Sequence, residues 1–171
     1  MDNKLIVLRG PSASGKTTVA KQLFEKAANR ATIIHQDYYR FIFKPAGGGS
    51  KPNSQVIHKM IEHNTAAALE AGYDVILEGI LSLRSYEDIL KRLVENHPGE
   101  SHMFYFDISL EETIRRHHSR EGNFLFDDDA MREWYPGSTM RFPGNEVTIA
   151  EDSPLEETVD KIIRVSRLSI D

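Results

Sequence analysis

The sequence predicts an α/β fold, a parallel sheet covered by helices. Three observations carry this. Short β-branched or aromatic runs alternate with segments of helical periodicity along the whole chain. A glycine-rich loop, Gly10-Pro11-Ser12-Ala13-Ser14-Gly15-Lys16-Thr17, joins the first apolar run to the first helical segment. The run Tyr73 to Gly79 is continuously apolar through its middle, as a strand buried on both faces should be.

Taken in order, the first strand is Lys4 to Leu8, and a helix follows from about Lys16 to Ala28. Thr32-Ile33-Ile34-His35 reads as the second strand, ending at Gln36-Asp37-Tyr38-Tyr39-Arg40. Pro45 to Pro52, with three consecutive glycines, breaks regular structure and is expected to be flexible, a candidate acceptor loop spanning about 40–53. A helix from about Ser54 to Ala71 should bury Val56, Met60, Ala67 and Ala71, and Gly72 marks its end. After the third strand, Ser85-x-x-Asp88 starts a helix running to about Asn96. His102 to Asp107 is the fourth strand, and Ser109-x-x-Glu112 is a capping box opening a helix through Arg120.

Glu121 to Pro143 reads as irregular with a short helix around Asp128 to Trp134, capped and led by Asp127-Asp128-Asp129. Glu146 to Ala150 is a fifth strand. Ser153-Pro154-Leu155-Glu156 combines a capping box with proline at the first helical position. The terminal helix should bury Leu155, Val159, Ile162 and Ile163. No repeat or linker divides residues 1–171, so a single domain is expected.

Composition limits the function classes. At 171 residues with a formal charge of −5, a broad nucleic-acid or anionic-membrane surface is disfavoured, although a small basic site is not. The chain has no cysteine, which excludes disulfides, zinc thiolates and thiol nucleophiles. Only four consecutive apolar residues precede Arg9, far short of a signal peptide or membrane span, so a cytoplasmic protein with no membrane partner is expected.

The glycine-rich loop fits G-x-x-x-x-G-K-[ST]. Its glycines let successive backbone N–H groups turn toward an anion, and the following helix adds the positive end of its dipole. Gly10, Ser12, Ala13, Ser14, Gly15, Lys16, Thr17 and Thr18 are the candidate nucleotide-binding residues. Lys16 reaches the β- and γ-phosphates, and the Thr17 hydroxyl ligates Mg²⁺. The pattern implies binding of a nucleoside triphosphate.

Ligands in an open parallel sheet sit beyond the carboxyl ends of the strands. Asp37, after the second strand, is the candidate general base for phosphoryl transfer to a hydroxyl, and a helix cap or Asx-turn is its structural alternative. Tyr38, Tyr39 and Arg40 beside it are candidate acceptor contacts. Glu78, after the third strand, is the candidate metal-assisting carboxylate and a further substrate-side residue, preferred over Asp107, which a turn before Ser109 explains. Arg116 and Arg120, four apart on one helix face, are candidates for closing over the phosphates, Arg120 catalytically; a solvated basic face is the alternative. Arg132 and Arg141 are weaker lid candidates. His117 and His118 point about 100° apart on a helix and make a poor shared metal site.

The loop Gly10–Thr17, a second strand leading to Asp37 and an arginine-rich helix before a short lid together resemble the small P-loop kinases of the nucleoside-monophosphate-kinase-like group. That group includes chloramphenicol phosphotransferase, gluconate and shikimate kinases and the zeta-toxin kinases. Val75 to Leu81 is similar to the third-strand motif of uridine kinases, and Met131 to Tyr135 is similar to a segment of bacterial proteins labelled only as kinases or ATPases. The resemblance implies a three-layer P-loop NTPase fold with a five-stranded parallel sheet of order 2-3-1-4-5 and a helical lid near 120–142. It implies ATP and Mg²⁺ as cofactors, Asp37 as base, and adenine between the lid helix and Glu151-Asp152-Ser153. The expected activity is transfer of the γ-phosphate of ATP to a hydroxyl of a small-molecule acceptor. A nucleoside or nucleotide-sugar kinase, or a nucleotide-binding switch without acceptor, is the alternative.

Overall fold

A computed structural model describes residues 3–43, 53–119, 127–135 and 141–171. Its five strands are β1 (Lys4–Arg9), β2 (Ala31–His35), β3 (Asp74–Gly79), β4 (Glu100–Asp107) and β5 (Glu146–Ala150). They form one all-parallel sheet of order β2-β3-β1-β4-β5. The helices are α1 (Lys16–Lys26), α2 (Gln36–Phe41), α3 (Ser54–Glu70), α4 (Leu83–Asn96), α5 (Leu110–His118), α6 (Asp128–Trp134) and α7 (Leu155–Ser166).

The central position of β1 follows from its sequence. Leu5, Ile6, Val7 and Leu8 are all fully buried, because the sheet carries helices on both faces. Leu5 and Val7 join a core with α3 and α4, whereas Ile6 and Leu8 join a second core with α1 and α7. Alternation along a strand sends neighbouring side chains to opposite layers. The C-terminal ends of β2, β3 and β1 lie side by side, with His35 level with Glu78 and Leu8 level with Glu78. This brings the glycine-rich loop, Glu78 and the start of α2 to one edge.

Several local readings are corrected. Residues 36–41, read as the place where the second strand ends, form a helix. α3 buries Ile57, Ile61, Thr65 and Leu69, so its inward face is rotated from the expected one and Val56 is exposed. α4 starts at Leu83, ahead of the Ser85 signal, with Ser82 at its cap position. α1 stops at Lys26, since Ala27 turns to extended backbone and bridges to Ile170. Pro154 occupies the cap of α7, one position earlier than expected, and the Ser153 hydroxyl pairs with that of Thr158 at 2.8 Å instead of capping. Leu155 is exposed, and α7 buries Val159 and Ile162.

Asp127 and Ser109 cap their helices as expected, accepting from the backbone N–H groups of Ala130 and Glu112. Among the described residues, no helix is long and apolar enough to cross a membrane.

Candidate nucleotide and phosphoryl-transfer site

The loop between β1 and α1 has the backbone that its composition requires. Gly10 has φ +145°, and a Cβ there would lie 2.7 Å from the carbonyl oxygen of Phe106, so only glycine fits. Ala13 also takes positive φ, at 57°, and Gly15 enters α1 at φ 96°. Lys16 is buried, and its Nζ donates to the Pro11 carbonyl at 2.6 Å and to Ser14 Oγ at 2.9 Å. The lysine is thereby folded back across its own loop. Thr17 and Thr18 are exposed on the first turn of α1.

Glu78 is the penultimate residue of β3, and its side chain is only 8 % exposed. Its Oε1 accepts from the Thr17 hydroxyl at 3.3 Å and pairs with His35 Nδ1 at 2.7 Å. Both partners use the same oxygen, which leaves Oε2 open to another ligand. A hydroxyl and a carboxylate are the hard oxygen donors that suit Mg²⁺. Mg²⁺ bound with nucleotide takes few protein ligands, and no group of three or more His, Cys, Asp or Glu suited to a metal occurs among the described residues. Thr17 and Glu78 thus fit the ion as direct or water-mediated ligands.

Asp37 lies in the first turn of α2, with His35 in the cap position, so the aspartate is not itself the cap. Its side chain is 63 % exposed and sits 3.6 Å from the Arg40 guanidinium. Tyr38 is exposed, but Tyr39 is buried, and its hydroxyl accepts from Asn64 Nδ2 at 2.9 Å, which makes it part of the wall behind α2 rather than an open contact. Arg40 lies 5.6 Å from the ring centre of Trp134 on α6.

A cavity of about 290 Å³ opens on the other side of the loop, lined by Ser14, Gly15, Thr18, Phe106, Arg116 and Ser153 among others. Arg116 crosses it. It donates to Glu112 Oε1 at 2.6 Å, to the Glu151 carbonyl at 2.7 Å and to the Ser14 carbonyl at 3.4 Å. The guanidinium groups of Arg115 and Arg116 hold Glu112 down to a pKa of about 2. Glu151 is lowered too, by hydrogen bonds from the Ser109 backbone and hydroxyl. Arg115 projects outward. Arg120 and most of the expected lid and acceptor loop lie outside the described residues.

Sequence reasoning missed His35, which is indistinguishable from any strand-ending residue until β2 pairs in register with β3. It also missed Gln36, whose side chain fills the space where a Cβ of Gly79 would stand and whose Oε1 accepts from the Leu81 N–H at 3.1 Å. A third omission is the buried ion pair of Arg9 with Glu146, at 2.5 and 2.7 Å. Arg9 and Arg141 flank the ring of Tyr105 at 4.6 and 4.2 Å, and Arg141 also pairs with Asp107 at 2.9 Å. Asp107 is thus engaged with a lid-side arginine.

A family model described as an AAA domain matches residues 5–134. Comparison with curated proteins finds no match. Among solved structures, the chain is similar to the APS kinase of Mycobacterium tuberculosis in complex with AMPPNP and APS, at TM-score 0.73 and 17 % identity, covering 96 % of this chain and 98 % of that one. It is similar to a gluconokinase from Sinorhizobium meliloti 1021, at TM-score 0.67 and 20 % identity, covering 96 % and 94 %. A sugar kinase from Janibacter sp. HTCC2649 aligns at TM-score 0.69 and 18 % identity, over 99 % and 96 %. The fold is that of the small P-loop kinases.

Proposed function

This chain belongs to the AAA domain family, and we propose that it is an ATP- and Mg²⁺-dependent kinase transferring the γ-phosphoryl group to a hydroxyl of a small-molecule acceptor. The observation that carries this reading is the contact of Thr17 with Glu78 beside Lys16 on the phosphate loop. It joins a phosphate cradle to a metal-type oxygen pair at the edge where Asp37 stands. The similarity to kinase structures supports the same class of activity.

In this reading, the loop amides from Ser12 to Thr18 and Lys16 hold the β- and γ-phosphates, while the cavity beside Arg116 takes the base. Lys16 exchanges its bonds to Pro11 and Ser14 for phosphate oxygens. Bound Mg²⁺ would neutralise charge on the β- and γ-oxygens, held by Thr17 and, directly or through water, by Glu78. Asp37 orients the acceptor hydroxyl and takes its proton as the new P–O bond forms. The bond from the γ-phosphorus to the β,γ-bridging oxygen breaks, and ADP leaves with that electron pair. Arg116 steadies the nucleotide side, and Arg120 is assigned to the transferring group.

The test is a screen of pooled alcohols, sugars, nucleosides and antibiotics with γ-labelled ATP. Label transferred to one pool, with ADP release far above the water background, supports the kinase. A nucleoside or nucleotide sugar emerging as acceptor selects that narrower kinase type. ADP release that no compound stimulates indicates a nucleotide-binding switch.

A further inference from the structure

The sheet has a cavity at its other end as well. Asn3 stands just before β1, at the edge opposite the phosphate loop, where α3 ends at Glu70 and α4 ends at Asn96. A space of about 230 Å³ opens there, walled by Ala66, Leu69, Leu93, Asn3 and His97. Leu69 and Leu93 are buried and Ala66 is half-buried against the core, so much of the wall is apolar. At the rim, Glu62 and Arg92 spend their charges on each other through hydrogen bonds of 2.6 and 2.8 Å.

Asn3 is the polar exception in this wall, and it is only 8 % exposed. Its Nδ2 donates to the Leu69 carbonyl at 2.9 Å and to the Tyr73 carbonyl at 3.0 Å. Two carbonyls fix the amide, because a flip would turn Oδ1 against both of them. Oδ1 is left buried with no hydrogen-bond partner among the described residues, a cost that a donor would remove. The neighbouring His97 gives its Nε2–H to the main-chain carbonyl of Asn3 at 3.0 Å instead.

The cavity therefore asks for one donor carried on an apolar body. A water on Oδ1 supplies the donor but leaves the leucine surfaces wet, and a buried water needs two to four polar partners. An apolar cavity of about 150 Å³ suffices for benzene, so a ring with one small polar substituent fits this larger one. An anion is disfavoured by Oδ1 itself and by Glu62 and Glu70 around it. We propose that this cavity is a second ligand site, separate from the nucleotide site. It takes a neutral single-ring molecule whose hydroxyl or N–H donates to Asn3 Oδ1.

Phenol and toluene, alike in shape but differing in the donor, are the probes. Each is titrated into the whole protein by ¹⁵N NMR, with and without saturating ADP. The expected result is that phenol shifts the amides around Leu69 and Leu93 and binds at least threefold more tightly than toluene, with or without ADP. Asn3→Leu should weaken phenol roughly 3- to 10-fold, the scale of one hydrogen bond, and leave toluene within about twofold. Ala66→Phe, which fills the space and keeps the Asn3 bonds, should abolish binding of both. The thermal melt and ADP affinity of each variant are the controls for folding, and Ala66→Phe alone decides the site if Asn3→Leu does not fold. Absence of phenol binding, as when another part of the chain occupies the space, overturns the inference. So does tighter binding of toluene, phenol binding that survives Ala66→Phe, or competition between phenol and ADP.

Discussion

The Thr17 hydroxyl donates to Glu78 Oε1 across 3.3 Å, so residues 61 positions apart meet where the phosphate loop enters α1. His35 takes hold of the same oxygen from the neighbouring strand at 2.7 Å. The carboxylate is therefore gripped on one side and open on the other.

That grip gives the first prediction. His35→Ala should free the Glu78 carboxylate to rotate and weaken Mn²⁺ or Mg²⁺ binding by the ADP complex about tenfold or more, as removal of a ligand's supporting partner commonly does. His35→Gln, which retains an N–H donor, should restore much of it. Mn²⁺ titration by electron paramagnetic resonance checks this without any need for turnover. Unchanged metal affinity in His35→Ala beside a loss in Glu78→Gln would show that His35 does not position the carboxylate.

Lys16→Ala removes a buried point charge from the phosphate loop. Transfer should fall by about 10²–10³-fold and ATP binding should weaken, with the fold retained. Circular dichroism and ATP titration of the same sample decide the matter; a folded variant with unaltered ATP affinity and turnover would sink the nucleotide assignment.

Asp37→Asn keeps the shape of the side chain but cannot accept a full proton. Nucleotide affinity should stay within a few-fold while transfer drops by roughly 10²–10⁴. A basal ATP hydrolysis that no acceptor stimulates, equal in both proteins, is the outcome that excludes a base.

Glu112 is held down to a pKa of about 2 by Arg115 and Arg116. Its lowered value fixes the sign. The contribution of these ion pairs is complete above the ordinary carboxylate range and is lost only as pH falls through about 2. A carboxyl NMR titration should find Glu112 still ionised at pH 4. Because Arg116 also clasps the Ser14 and Glu151 carbonyls, Glu112→Gln should raise the KM for ATP roughly 2- to 5-fold at neutral pH, the scale of one exposed charge coupling.

Arg9 and Glu146 are each 1 % exposed and joined by two short hydrogen bonds. Glu146→Ala removes the carboxylate that takes both of these buried hydrogen bonds from Arg9 and should cost about 3–5 kcal/mol. Calorimetry should then show a melting temperature lower by roughly 10 °C.

The parts of this molecule that were legible in its sequence are those set by local pattern. The strand order of the sheet came from the resemblance, but the alternation of strands and helices is written in residues such as Leu5 to Leu8 and Val75 to Leu77. The phosphate loop is legible because Gly10 and Lys16 stand at fixed spacing. Asp37 and Glu78 could be singled out because strand ends in a parallel sheet are the places to look. What stayed hidden depends on lateral register. His35 meets Glu78 only once β2 lies beside β3, and Arg9 finds Glu146 across 137 positions. Tyr39 looked like Tyr38 because a helix of six residues is too short to announce which side faces inward.

The central place of β1 has a consequence for biosynthesis. It precedes both of its sheet partners along the chain, β3, ending at Gly79, and β4, ending at Asp107. A ribosome adds about 5–20 residues per second, so the backbone edges of Leu5 to Leu8 wait on the order of ten seconds before either neighbour is available. During that interval the fully buried run Leu5 to Leu8 lacks both of its native sheet neighbours. Slower translation lengthens that interval in direct proportion.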